Sequence, residues 1–368
     1  MRSSILISKI TLNNFRSHQE FSLNSRSNNI VLYGENGAGK TNILESLSLL
    51  SPGRGLRNAK NEEIINKNHN TNYSLLADVE FDESLVKIKK TFVKNSIQKS
   101  NFFMDDEKCK TSDLLNFLRV IWVTPIMEKI MLQSNSERRN FFDRLIFNIN
   151  KKYLKSFSAY NKFTKERLHL LKSNIPDDSW LDQIEFNIAE KASEVIKYRN
   201  DAIIQINENL TLISKPFNSC TIELIYESSL ESSNHKEDFI TNYKRILQTN
   251  RFIDKELNRT SMGPNKVQVN IWKLDDSSIE AKQCSTGEQK SILISIILSV
   301  AQIIVRSDFG KPPIILIDEA MAHLDQNHRE ALIDELGKLN TQSWFTGVSK
   351  EIFTHLNKDT IFFEVKNS

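Results

Sequence analysis

Cysteine is scarce in this chain of 368 residues. Cys109, Cys220 and Cys284 are far apart and form no C-x-x-C pair, so neither a disulfide framework nor a zinc site is indicated. A reducing cytosol is the simplest setting for such a sequence. An excess of one charge is missing too: 49 Lys and Arg against 46 Asp and Glu leave a formal net charge of +3, which permits nucleic acid as a partner without requiring it. The N-terminus has no basic stretch followed by a long apolar core, so no signal peptide is expected. The most apolar run, Ile292 to Val305, is interrupted by Ser295, Ser299 and Gln302. It falls short of the roughly 20 residues of a membrane span, so it reads as a buried helix, with no membrane partner. No sustained heptad repeat, internal repeat or low-complexity tract is found, which argues against a long coiled coil. Hydrophobic content of 39% and charged content of 26% are those of a soluble globular protein of one large or two to three smaller domains.

What the chain does contain is a complete G-x-x-x-x-G-K-[ST] loop, Gly34-Glu35-Asn36-Gly37-Ala38-Gly39-Lys40-Thr41. Its context is right. Asn29 to Tyr33 reads as a buried strand before it, and Asn42 to Leu50 has helical spacing after it, stopped by Ser51-Pro52-Gly53. Backbone N–H groups of such a loop point inward and, with the helix dipole, cradle phosphate oxygens. Lys40 would reach the β- and γ-phosphates and the Thr41 hydroxyl would ligate Mg²⁺. The competing reading is an accidental glycine-rich turn before a helix.

Two later segments weigh against an accident. Ile314 to Ile317 is an apolar strand that ends in Asp318 and Glu319. A carboxylate there lies at the carboxyl edge of a parallel sheet, where open α/β sheets bind ligands. Asp318 can hold Mg²⁺ through water opposite Thr41, and Glu319 can orient or deprotonate the attacking water. Alone, the pair is an ordinary acidic turn; with the phosphate loop it becomes a hydrolytic site. Ser285-Thr286-Gly287-Glu288-Gln289-Lys290 precedes a helix and offers a second anion site through the Ser hydroxyl, the Gly N–H and the helix N-terminus. Ser285 with Glu288 is equally a capping box, and both can hold, because a cap exposes the same N–H groups.

Elsewhere the N-terminal third reads as strands and turns. Ile5 to Leu12 is β-like, Asn13 to Arg16 is a turn, and Leu75 to Phe81 with Leu85 to Phe92 forms a hairpin around Asp82-Glu83. From Thr111 to Leu212 the pattern is mainly helical. Lys152 to Leu171 is one helix, Ile175 to Asp178 a break, and Leu181, Ile184, Ile188, Ala192 and Val195 an apolar stripe with Ser179 as N-cap. The last third returns to α/β, with a helix from Asn327 to Leu339 and strands at Trp344 to Thr346 and Ile361 to Val365. The expected organisation is an ATPase lobe from 1–110 and 261–368 with a helical lobe inserted at 111–260.

The order of phosphate loop, long insertion, Ser-x-Gly-x-Gln and apolar strand with Asp-Glu resembles the ABC-type ATPases, and Met321-Ala322-His323-Leu324-Asp325 resembles their D-loop. Asn14-Phe15-Arg16-Ser17-His18 resembles the SMC-like branch. Within it the chain resembles the RecF family over nearly its full length. The residues that carry this are Gly34 to Asn42, Gly53-Arg54-Gly55-Leu56-Arg57, Val120 to Pro125, Glu137 to Asp143, Gly263-Pro264 and Cys284 to Lys290. The resemblance implies an α/β ABC-type head with an inserted helical lobe and a slow, DNA-stimulated ATPase that uses ATP and Mg²⁺. It implies head-to-tail homodimerisation on ATP, with Ser285 and Gly287 of one subunit, beside Gln289 and Asp325, completing the site of Lys40 and Thr41 in the other. It implies binding to duplex DNA at single-strand gaps or junctions and work with RecR and RecO-like mediators in loading recombinase. Arg16 is open between a nucleotide contact and a surface turn arginine.

The sequence departs from the family pattern at Thr286 and Cys284, at Asn265-Lys266-Val267-Gln268, and at Ile126-Met127-Glu128, where Glu usually follows the Pro directly. Thr346-Gly347 stands where transporter-type members keep a switch His, and this is the reason to expect slow turnover. Candidate DNA contacts are Lys151, Lys152, Lys155, Lys162, Lys165 and Arg167, interleaved with Tyr153, Phe157, Tyr160 and Phe163, with Arg54 and Arg57 as alternatives. The competing reading of that stripe is an amphipathic helix with aromatics in the core and solvated lysines. Two rival functions stand: an SMC-like ATPase of another DNA-maintenance or defence pathway, and a clamp that binds ATP without hydrolysing it.

Overall fold

The computed structural model describes residues 5–68, 71–81, 84–94, 100–173, 177–230, 236–307, 311–319, 321 and 324–366. The chain forms two compact units, one of Met1–Ile130, Asn209–Ser219 and Cys284–Ser368, the other of Met131–Glu208 and Cys220–Gln283.

Among the described residues the first unit holds two sheets. Strands β1 (Ile5–Phe15), β2 (His18–Asn24), β4 (Asn72–Phe81), β5 (Ser84–Val93), β6 (Asn101–Met104) and β7 (Glu107–Cys109) form an antiparallel sheet in the order β2-β1-β4-β5-β6-β7. Its long members alternate buried and more exposed residues, as one-sided sheets do. Strands β3 (Asn29–Tyr33), β8 (Val120–Val123), β11 (Ile314–Ile317), β12 (Ser343–Gly347) and β13 (Ile361–Glu364) form a parallel sheet in the order β13-β3-β12-β11-β8. β8, β11 and β12 are buried at every position, which is why they read as unbroken apolar runs. This order sets β12 between the strand that feeds the phosphate loop and the strand that ends at Asp318.

The helices of this unit are α1 (Lys40–Ser48), the short α2 (Asn61–Ile64) and α3 (Thr111–Leu114), α9 (Thr286–Arg306) and α10 (Gln326–Leu339). The apolar run expected to fall short of a membrane span lies in α9, which is 21 residues long. Among the described residues α9 is the one helix long and apolar enough to cross a membrane, yet 72% of its most apolar stretch is buried inside the protein. Its hydrophobicity is that of a core helix.

The second unit is built on α4 (Asn135–Ile149), α5 (Lys151–Leu171), α7 (Lys236–Thr249), α8 (Arg251–Leu257) and most of α6 (Asp178–Leu210). The stripe Leu181, Ile184, Ile188, Ala192 and Val195 is buried throughout, as expected. The start of α6 differs from expectation. Asp177, not Ser179, is the capping acceptor: its Oδ1 takes the backbone N–H of Ser179 at 2.9 Å and of Trp180 at 3.1 Å. Ile175 and Pro176 of the expected break, and Asp82-Glu83 of the expected hairpin turn, lie outside the described residues. Asn13 to Phe15 is strand rather than turn, because Asn13 pairs with Glu20 and Phe15 with His18.

The outer unit boundaries fall at 130/131 and 283/284, against the expected 110/111 and 260/261, and Asn209–Ser219 also belongs to the first unit. Long-range pairing is the cause. β8 hydrogen-bonds to β11 and so belongs to the first unit, while β10 (Gln268–Lys273) pairs antiparallel with β9 (Cys220–Ile225) inside the second.

Candidate functional site

The parallel strands end where the loop Gly34 to Gly39 begins. Gly34 and Gly39 have φ of 143° and 96°, in the region that favours glycine. A Cβ on Gly34 would strike the Val365 carbonyl, and one on Gly39 would strike His18 and Ser17. Lys40 is buried at 4% exposure, and its Nζ donates to the carbonyls of Gly34 and Glu35, both at 2.8 Å. Burial pushes its ammonium below the ordinary lysine value, and Glu319 and Asp318 pull part of that back.

Thr41 Oγ1 donates to Asp318 Oδ1 at 2.9 Å, which joins the start of α1 to the end of β11. Thr346 Oγ1 donates to the same oxygen at 2.8 Å and accepts the backbone N–H of Glu319 at 2.9 Å. Asp318 is 6% exposed; burial pushes its carboxyl up, and the hydrogen bonds from Thr346 and Thr41 oppose this. Glu319 has φ 53°, an uncommon conformation for a non-glycine residue and one found at functional sites. Lys40, Thr41, Asp318 and Glu319 are therefore brought together as expected. Thr346 was read from sequence as the end of a strand and as the place of a missing His; it also links both acidic residues.

Arg16 is placed otherwise. Its Nε and Nη2 hold the fully buried Glu45 of α1 at 2.8 and 2.6 Å, and Nη1 donates to the Glu63 carbonyl. Arg57 Nη1 donates to Glu45 Oε2 at 3.0 Å and to Asn42 Oδ1 at 2.6 Å, and Asn42 Nδ2 donates to Ser17 Oγ at 2.8 Å. Arg16 and Asn42 thus brace the helix that carries Lys40 and Thr41.

Ser285 is the N-cap of α9. Its backbone N–H donates to Glu288 Oε2 at 3.0 Å, and its Oγ accepts the N–H of Glu288 at 3.3 Å. Gln289 Nε2 donates to the Cys284 carbonyl at 2.8 Å, and Lys290 pairs with Glu128 at 3.1 Å, which gives the departing loop after Pro125 a partner in the signature. Asp325 caps α10, accepting the N–H of His328 at 3.0 Å and meeting its ring Nδ1 at 2.7 Å. Ala322 and His323 of the expected D-loop lie outside the described residues.

Arg167 corrects the expected basic stripe. It is fully buried, donating to Glu185 at 2.9 Å, to Asp254 at 2.6 Å and to the Leu247 carbonyl at 2.6 Å, so it cannot follow a phosphate backbone. Tyr153 and Tyr160 are buried too, whereas Lys151, Lys152, Lys155, Lys162 and Lys165 are exposed.

A phosphate loop joined through hydrogen bonds to an Asp-Glu pair on a mixed α/β fold, with a Ser-Thr-Gly-Glu-Gln helix start on the same unit, defines an ABC-type ATPase head. Comparison agrees. The family profile of the RecF/RecN/SMC N terminal domain matches residues 6–126. The fold resembles a Smc head domain from Pyrococcus furiosus at a TM-score of 0.53 and 17% identity, over 99% of this chain and 94% of the other. A DNA replication and repair protein RecF of Rhizobium rhizogenes is 32% identical over 370 residues, covering 99% of this chain and 98% of that one. The solved structure of the recombination mediator protein RecF with ATP, of the RecFOR pathway, superposes with a TM-score of 0.80 at 25% identity, over 95% of this chain and 94% of the other. The chain belongs to the RecF family of DNA replication and repair proteins.

Proposed function

We propose that this chain binds ATP with Mg²⁺ at the phosphate loop, dimerises head to tail around the nucleotide, binds DNA in that form and is released from it by hydrolysis. The observation that carries the reading is the chain of bonds Thr41–Asp318–Thr346–Glu319, which supports Thr41 and Asp318 as metal ligands and Glu319 as the base. Lys40 neutralises phosphate charge and the N–H groups of the loop orient the phosphates. Glu319 holds the attacking water and takes its proton. Mg²⁺ suits the two hard oxygen donors of Thr41 and Asp318. When bound, the ion would offset the charge that builds on the phosphates.

In the partner copy, Ser285 and Gly287 would meet the γ-phosphate at the N-terminus of α9. A Cβ on Gly287 would touch nothing within 4 Å in its own chain, so the open face there is free for a second subunit. The exposed lysines of α5 are the proposed backbone contacts to duplex DNA at gaps or junctions. The RecFOR setting of the solved relative supports RecR and RecO-like mediators as partners, and recombinase loading in the cytoplasm is proposed with them.

Light scattering of the full chain alone, with ATP, and with ATP and gapped DNA tests the reading. The mass should double with ATP, and the dimer should hold the DNA; an unchanged mass at saturating ATP would sink the dimer mechanism. Replacing Thr346 by Val should lower turnover by roughly ten- to a hundredfold, because Asp318 and the Glu319 backbone both lose their support. Thr346→Ser keeps the hydroxyl and should restore most of the rate in a steady-state phosphate-release assay. Equal rates in the Val variant and the parent would remove Thr346 from the site.

A further inference from the structure

A second polar cleft lies in the first unit, apart from the residues that hold the nucleotide site. It has a volume of about 490 Å³ and is lined on its polar side by Arg54, Lys60, Glu62, Lys90, Ser100 and Thr111. That is the size of a small-molecule site.

Lys90 is the unusual member. It sits on β5 between Ile88 and Phe92, both buried, at a position whose side chain faces the core. It is only 3% exposed, and it lines the cleft. Its Nζ lies over the ring of Phe102, 5.2 Å from the centroid. The anion that acts on it, Glu45, already holds Arg16 through two oxygens and Arg57 through one. Burial pulls the Lys90 pKa down to about 8, so the group is still charged at neutral pH. A largely desolvated ammonium at the wall of a polar cleft is stabilised by an anion that reaches it there. Arg54 and Lys60 are exposed at the same cleft, against the single carboxylate of Glu62.

We propose that this cleft is a phosphate-binding site, with Lys90 as its buried cation, the Ser100 and Thr111 hydroxyls as neutral donors and Arg54 and Lys60 at its mouth. The phosphate comes either from a small phosphate ester or from a DNA end or backbone; the recognising chemistry is the same. The site does not depend on the ATP reading, and the two fail separately.

The test uses the full chain with Lys40→Ala, which takes the phosphate loop out of play, and follows inorganic phosphate by titration calorimetry. Adding Lys90→Met should weaken phosphate binding by roughly ten- to a hundredfold, the effect of losing a charge-assisted hydrogen bond. Binding should also decline as pH is raised through about 8 in the Lys40→Ala protein and lose that dependence with Lys90→Met. Unfolding in urea checks that the variant is folded, and Arg54→Ser with Lys60→Ser, at exposed positions, repeats the test without touching the core. Weakened duplex binding by Lys90→Met, measured at fixed salt, would name DNA as the source; unchanged duplex binding with lost phosphate binding would name a small ester. Equal phosphate affinity with and without Lys90, or no phosphate binding in the Lys40→Ala protein, would overturn the proposal, whether or not ATP drives dimerisation.

Discussion

Glu319→Gln is expected to slow ATP hydrolysis by roughly 10²- to 10⁴-fold, the range supplied by a positioned general base, while ATP still binds and the dimer persists. The amide has nearly the volume of the carboxylate but cannot take a proton from water. The groups that would hold the nucleotide are untouched: the loop amides, the Lys40 ammonium and the Thr41–Asp318 pair. The backbone N–H of Glu319 keeps its bond to Thr346, so the turn after β11 has no reason to move. Single-turnover hydrolysis and light scattering on one preparation check this. Slow chemistry with a stable dimer is the expected pair of results. Undiminished turnover would show that another group activates the water, and slow turnover without an ATP-dependent dimer would separate hydrolysis at Glu319 from dimer release.

The contrast between Glu319 and Thr346 shows what the sequence could carry. The Asp-Glu pair was legible because a buried parallel strand writes itself as an unbroken apolar run, and β11 is four such residues ended by two acids. Thr346 was legible as a strand residue only. Its role follows from β12 lying between β3 and β11, and strand order is a long-range property that no local pattern records. The unit boundaries failed for the same reason, since β8 and the β9–β10 pair are claimed by distant partners. The β9–β10 ladder did have a local signal: Cys220 to Ile225, in the lobe expected at 111–260, and Gln268 to Lys273, in the lobe expected at 261–368, carry alternating apolar residues that were not read as strands. Arg16 was open between nucleotide and surface because Glu45, its partner, looks from sequence like an ordinary acid on a helix and proves fully buried. Arg167 was also within reach: Tyr153, Tyr160 and Arg167 recur at intervals of seven, hence on one helical face, and that face is the buried one.

That placement makes Arg167→Met the most damaging substitution expected in the second unit, with a loss of about 3–5 kcal/mol of stability. Arg167 and Arg251 oppose Glu185 and Asp254 in one network, in which Glu185, Asp254 and Arg167 are buried completely. Removing Arg167 leaves Glu185 with Arg251, but among the described residues leaves the Asp254 carboxylate with the backbone N–H of Ser261 at 2.7 Å and no cation. It also strips the Leu247 carbonyl of its donor. Arg167→Lys should recover little, because the compact ammonium cannot reproduce a planar fork that meets its acceptors from three separate nitrogens. Lys162→Ala and Lys165→Ala, on the exposed face of the same helix, should change stability by no more than about 0.5 kcal/mol. Their effect should appear instead as a smaller salt dependence of DNA binding. Urea unfolding followed by circular dichroism, with duplex binding measured on the same proteins, separates the two faces of α5. A stable Arg167→Met protein that had merely lost DNA affinity would return Arg167 to the basic stripe. An unstable one beside stable lysine variants fixes it as the charge that lets two buried carboxylates share the core.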